Sequence, residues 1–297
     1  MSGYCISDTY IILQSPEWAI HDNLKHFLNE TDNTPDMICR VVFEHSTDMP
    51  KEKAVHIMKS PGVFVYYYNE SYHFRNRNAG NVICDISIAT NLTESTIYVY
   101  PEYCNPYDAE IAHSIRDGVL GALRVLLIML LSAKSCHMIH SSTIISDGRG
   151  IMFAGESGSG KSTHTALWKK LYGAEILDGD ITACRIEDGV PFAYGLPWCG
   201  TSGQFLNRKV PLQAIIFLQK SKENSIKKLE FGEAFQRLYA RCFLIPLDSK
   251  IANQVIDAIQ GIAACADCYV LNCRPDEDAV RTVWDYLMQK NGFSPEA

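Results

Sequence analysis

The sequence predicts an α/β protein in two regions: a strand-rich front, and a core built around a phosphate-binding loop. Two observations carry this. Residues 1 to about 105 hold short runs of β-branched and aromatic residues broken by Asn, Asp, Gly and Pro. From about residue 138 onward, strand-like runs alternate with helical periodicity, and among them lies "FAGESGSGKSTHTALW", Phe153 to Trp168.

Taken in order, "TYIILQS", "CRVVFEH", "GVFVYYYNESYHF", "VICDISI" and "STIYVYP" read as strands, with Asn69-Glu70 as a turn inside the third. Pro101 and Pro106 close the front region. Ile111, Ile115, Val119, Ala122 and Leu126 recur every three or four residues and predict a helix over 107–133. "MIHSSTII" and "GIMFAG" predict strands around the tight turn "SDGRG". "KSTHTALWKKLYG" then predicts a helix stopped by Gly173. "AEILDGDITACRIEDGVPFAYGLPW" predicts further strands with Asp-Gly turns, and "PLQAIIFLQKS" a strongly apolar strand. "GEAFQRLYARCFL" reads as a helix, "CYVLNCRP" as a strand and 276–290 as a closing helix. The composition shift places the domain boundary at 105/106. Residues 1–105 form the strand-rich region, and 106–297 the core with its connecting helix.

The chain has 297 residues, 47% hydrophobic and 21% charged, enough to bury a sizeable core without disulfides. Its net charge of −7 argues against a partner made of nucleic-acid backbone. Eleven cysteines, an odd number at irregular spacing, behind a start "MSGYCISDTY" that lacks leader character, fit reduced thiols and a cytoplasmic chain. The most apolar window, 119–133, is interrupted by Arg124. Its unbroken part, Val125 to Leu131, is too short to span a bilayer, so a buried helix is expected and no membrane partner.

Gly155, four residues, then Gly160-Lys161-Ser162 is the spacing of a phosphate-binding loop, and a strand before it with a helix after it is the context that loop needs. Glycines let the backbone curl so that N–H groups of Gly155, Glu156, Ser157, Gly158, Ser159, Gly160, Lys161, Ser162 and Thr163 face phosphate oxygens, and the helix N-terminus adds positive potential. Lys161 supplies a point charge for the terminal phosphates, and the Ser162 hydroxyl ligates Mg²⁺. Asp178 and Asp180 in "ILDGDITAC" stand at a strand end after the loop. One carboxylate there serves the metal, and its neighbour accepts a proton from a substrate hydroxyl. The bland reading of "DGD" is a turn.

The segments "IHSSTIISDGRGIMFAGESGSGKST", "ILDGD", "YGLPWCG" and "PLQAIIFLQKSKENSIKKL" together resemble the HPr kinase/phosphorylase group, relatives of the ATP-dependent phosphoenolpyruvate carboxykinase core. The resemblance covers roughly Met138 to Arg274. It implies a mixed-sheet P-loop core and transfer of the γ-phosphoryl of ATP to a serine or another hydroxyl. It also implies that His140 stands near the metal and the catalytic acid, and that Asp180 is the metal-associated one of two adjacent aspartates. The other aspartate of that pair is Gly179 here, so its task as base passes to Asp178, one residue away and on the opposite face of a strand, or to another group. Pro197, Trp198 and Gly200 match a Pro-Trp-x-Gly pattern. Arg208 follows as a guanidinium able to reach phosphate.

Other signals are bland. Cys265 and Cys268 lack a second pair with metal-site spacing, Cys199 has no identifiable histidine partner, and "YYYNESYHF" reads as core or peptide-binding strand. The expectation is a cytoplasmic, ATP- and Mg²⁺-dependent kinase, with catalytic Lys161, Asp178, Asp180 and His140 and metal ligands Ser162 and Asp180. Its acceptor would be a hydroxyl on a protein, peptide or small molecule, and a homo-oligomer is compatible with the sequence. The alternatives are a nucleotide-binding regulatory module with little turnover, favoured by Gly179, and a phosphoenolpyruvate-carboxykinase-like enzyme. For the latter the core looks thin in Arg and Lys.

Overall fold

The structure, a computed structural model, describes residues 1–29, 31, 33–46, 55–60, 63–76, 84–245, 247 and 249–291. The chain divides into two compact units, Met1–Ala133 with Ile245–Ser249, and Lys134–Leu244 with Lys250–Ala297. Both mix helix and strand. Among the described residues no helix is long and apolar enough to cross a membrane.

The first unit is one eight-stranded sheet. Its strands are β1 (Ser2–Ile6), β2 (Thr9–Gln14), β3 (Met37–Val42), β4 (Val55–Ser60), β5 (Val63–Tyr68), β6 (Ser71–Asn76), β7 (Cys84–Ala89) and β8 (Glu94–Val99), in spatial order β1-β2-β3-β8-β7-β6-β5-β4. Two hairpins turn on paired left-handed residues, Ser7-Asp8 (φ 52 and 56°) and Asn69-Glu70 (φ 49 and 55°), the geometry that matches strand twist. Alternation in β2 buries Thr9, Ile11 and Leu13 on one face. Helix α1 (Ala109–Ala133) lies against β7 and β8 and buries Ile115, Val119, Leu126 and Leu131. That packing groups α1 with this unit, whereas the sequence boundary at 105/106 sets it with the core.

The second unit contains β9 (His137–Ser146), β10 (Arg149–Ala154), α2 (Lys161–Tyr172), β11 (Glu175–Asp178), β12 (Ile181–Glu187), β13 (Val190–Tyr194), β14 (Lys209–Lys220), β15 (Ser225–Lys228), α3 (Phe231–Tyr239), α4 (Ser249–Cys265), β16 (Cys268–Cys273) and α5 (Glu277–Asn291). Asp147-Gly148 (φ 48 and 72°) and Asp188-Gly189 (φ 48 and 80°) close the β9–β10 and β12–β13 hairpins. The pairings β9–β10, β10–β14, β14–β13, β13–β12 and β12–β9 return to their start, so five strands close on themselves. β10–β14 and β14–β16 are parallel and the rest of the unit is antiparallel, so the sheet is mixed.

The central strands are apolar on both faces, and each face has its own core. Phe153, Ile216, Tyr269 and Leu271 pack with Trp168 of α2 and with Val280, Val283 and Leu287 of α5. Met152, Ile215 and Phe217 pack with Leu238 of α3 and with Ile259 and Ile262 of α4. Neighbouring residues of one strand thus serve opposite layers.

Two buried histidines have acid consequences. His137 has no partner on either ring nitrogen, His164 has none on Nε2, and burial lowers each pKa to about 4. The folded state therefore takes up these protons later than the unfolded chain. The stability they contribute is complete above pH 6.5 and lost as pH falls toward 4, by about 3 kcal/mol per histidine. Urea unfolding across pH should show the decline begin below 6.5, above the range in which carboxylates titrate. Constant stability between pH 7 and 5 would contradict it.

Candidate phosphate-binding site

Strand β10 delivers Gly155 next to Leu218 of β14, and α2 starts at Lys161. The intervening loop depends on its glycines. Gly158 and Gly160 have φ of 73 and 100°, and a Cβ on Gly155 would lie 2.6 Å from Ser159 Oγ. Gly160 occupies the N-cap of α2 with no side chain bonding the helix's first amides. Those amides lack helical partners and point into the loop. Ser159 Oγ is buried without a partner. Lys161 is 8% exposed, and its ammonium donates to the carbonyls of Gly155 (3.3 Å) and Glu156 (3.4 Å). Burial pulls its pKa down, Asp180 opposes that and Arg241 adds to it. A cradle of amides, an orphaned hydroxyl and a buried cation held only by two long carbonyl contacts form a donor set that fits a phosphate chain.

The register of β9 and β12 pairs His140 with Ile181, which sets Asp180 beside the imidazole. His140 Nε2 lies 3.5 Å from Asp180 Oδ1, and both side chains are about one-third exposed. Burial and then the Lys161 charge lower the His140 pKa, and Asp180 raises it. The His140 amide donates to the Arg241 carbonyl at 2.8 Å, so the end of α3 is tied to the same strand. Arg241 Nη2 reaches Glu156 Oε1 at 3.4 Å. Lys161, Asp180, His140 and Arg241 thus form one electrostatic cluster at the loop.

Asp178 faces inward. It is completely buried, its Oδ1 accepts the amides of Asp180 (2.9 Å) and Ile181 (3.0 Å), and its Oδ2 accepts that of Leu196 (2.9 Å). Burial pushes its pKa well above the usual carboxylate range, while the three amides favour the anion. In this structure the Asp178 carboxylate, the expected base, is enclosed and organises the "DGD" turn. Position 179 has no room for a side chain, since a Cβ there would lie 1.8 Å from Ser202 Oγ and 3.0 Å from the Cys199 carbonyl. The segment Cys199–Gly203 closes over this turn. Its Gly200, at φ 55°, brings backbone to within 2.9 Å of Asp180 measured from an added Cβ, and Trp198 is buried beside it.

Ser162 and Thr163 are exposed on the first turn of α2. Arg208, expected at the phosphates, instead donates to Glu175 Oε1 at 2.7 Å at the start of β11 and does not line the cavity at the loop. That cavity, about 570 Å³, lies between Gly155–Ser159, the end of β14 (Phe217–Lys220) and α3. Lys220, Arg237 and Arg241 line it, and sequence reasoning missed all three.

No protein-family model and no curated protein matches this chain. Among solved structures it is similar to the HPr(Ser) kinase/phosphatase from Coxiella burnetii, at 12% identity and a TM-score of 0.33. That match covers 52% of this chain and 93% of the other. A likeness of that degree leaves the functional reading to the site. Among the described residues no group of three or more His, Cys, Asp or Glu is placed to hold a metal ion.

Proposed function

We propose that this protein is an ATP- and Mg²⁺-dependent kinase with a P-loop core of the HPr kinase type, transferring a phosphoryl group to a hydroxyl, a serine of a protein or peptide. The supporting observation is the juxtaposition of Lys161, buried beneath an uncapped, glycine-built helix N-terminus, with the Asp180–His140 pair. ATP supplies the phosphoryl group and the charge that the loop neutralises. Gly155–Thr163 hold the phosphates through backbone amides, and Lys161 places its charge on the terminal ones. Ser162 and Asp180 are hard oxygen donors. One hydroxyl and one carboxylate suit Mg²⁺, which keeps waters and takes its remaining ligands from substrate phosphates. His140, held largely neutral, shares a proton with Asp180 and orients the acceptor hydroxyl.

The test is transfer of label from γ-³²P-ATP to candidate serine peptides in the presence of Mg²⁺. Asp180→Asn is expected to lower kcat by a factor of 10²–10³, the range for loss of a metal-holding or proton-accepting group. An Asp180→Asn variant as fast as the parent would overturn the assignment. A second reading, a nucleotide-binding regulatory module, is favoured by the sealed Asp178 and the lack of space at 179, which leave Asp180 as the partly exposed carboxylate of the "DGD" turn. Absence of ADP release with every acceptor tried would select it.

A further inference from the structure

We propose that the cavity between the glycine loop and α3 binds an acidic side chain of the acceptor, making the substrate a peptide segment with a carboxylate near its target hydroxyl. This rests on the kinase reading above. The cavity's charged lining is Lys220, Arg237 and Arg241 against Glu156, an excess of cations in a chain whose net charge is −7. A neutral adenine ring has no use for that excess, and the aromatic side chain in the lining, Phe217, is 2% exposed, with Arg237 lying 5.9 Å from its ring centre. The lining therefore offers no open aromatic face for stacking a base, whereas the Arg237 guanidinium is of the type that pairs with a carboxylate.

The partners these arginines now have are replaceable. Arg237 pairs with Glu233 along the helix, both side chains at least one-third exposed, and Arg241 reaches Glu156, which is 84% exposed. Exposed pairs of that kind are weak, so an incoming carboxylate displaces them at little cost. The location suits the chemistry as well. Arg241 belongs to the cluster with Lys161, so an acidic group bound here lies next to the terminal phosphate. The acceptor of the proposed function, a serine of a protein or peptide, supplies such a carboxylate from a residue neighbouring the serine.

The experiment compares two fluorescein-labelled serine peptides of equal length, one with glutamates flanking the serine and one with glutamines. Binding to the full chain is measured with Mg²⁺ and a non-hydrolysable ATP analogue present. The negative protein repels acidic peptides in general, so a preference for the glutamate peptide reports the local cavity. At least tenfold tighter binding of that peptide is expected, about 1.4 kcal/mol. The preference should collapse in Lys220→Gln/Arg237→Gln while affinity for the analogue stays the same. Equal or undetectable binding of both peptides would overturn the proposal. So would loss of analogue affinity in the double variant, which would give the cavity to the nucleotide. The kinase reading fails separately, through Lys161→Ala, which leaves Lys220 and Arg237 in place.

Discussion

Replacing Lys161 by alanine is expected to weaken ATP binding by 10- to 100-fold and to bring phosphoryl transfer to background, with no loss of stability. The first half follows from the strength of a charged hydrogen bond to phosphate, about 1.5–3 kcal/mol. The second half is the diagnostic part. Lys161 is a buried ammonium whose hydrogen bonds, among the described residues, are to two carbonyls beyond 3.2 Å, and burial already depresses its pKa. In the free protein it therefore contributes desolvation cost and little compensation, so removing it leaves the unfolding midpoint unchanged or raises it. Isothermal titration with ATP and a thermal melt check both halves. Retained transfer, or collapse of the fold, would each contradict the geometry described above.

Asp178→Ala should do the reverse, damaging the fold first. It strands three buried amides, those of Asp180, Ile181 and Leu196, which together hold the turn carrying Asp180 and the entry to the segment after β13. Each unsatisfied buried amide costs about 1–3 kcal/mol, so a loss of about 4 kcal/mol and a fall in melting temperature of roughly 10 °C are expected. Asp178→Asn keeps an acceptor for part of this set and should fall between the two. Thermal unfolding of the three proteins decides the matter. A stable Asp178→Ala variant that lacks activity would restore this residue to the role of base.

The contrast between these aspartates shows what the sequence made legible. Most of the turns and the loop were readable. The glycine spacing, the Asp-Gly turns at 147 and 188, the less typical Asn69-Glu70 turn and the helix ending at Gly173 are each set by a few adjacent residues and their backbone limits. The mixed α/β architecture follows from the alternation of periodicities. Strand parity was also readable in principle: Asp178 and Asp180 sit two apart, but the turn between β11 and β12 breaks the alternation, and only the fold shows which one is enclosed. Arg241 was not readable at all. It lies just past the end of α3, far along the chain from the loop, and it reaches the site through a backbone bond to His140 that no spacing encodes. Helix α4 went unnoticed although Val255, Ile259 and Ile262 repeat at helical intervals. Arg208 follows the Pro-Trp-x-Gly segment in the chain, and in the fold it pairs with Glu175, a partner that no sequence spacing announces.

One strand sets the mechanical character of the site. β9 carries His140 in the half that pairs with β12 and, in its other half, pairs with β10, which delivers the loop. The glycine loop and His140 are thus mounted on one continuous hairpin, β9–β10, inside a closed ring of strands. Widening the gap between them requires breaking ladder bonds of the most protected part of the unit, a global event rather than a local fluctuation. In the proposed kinase, any opening and closing must then be made by the pieces laid against this frame, the Cys199–Gly203 segment and helix α3. On that reading the spacing between the glycine loop and His140 stays constant through the cycle.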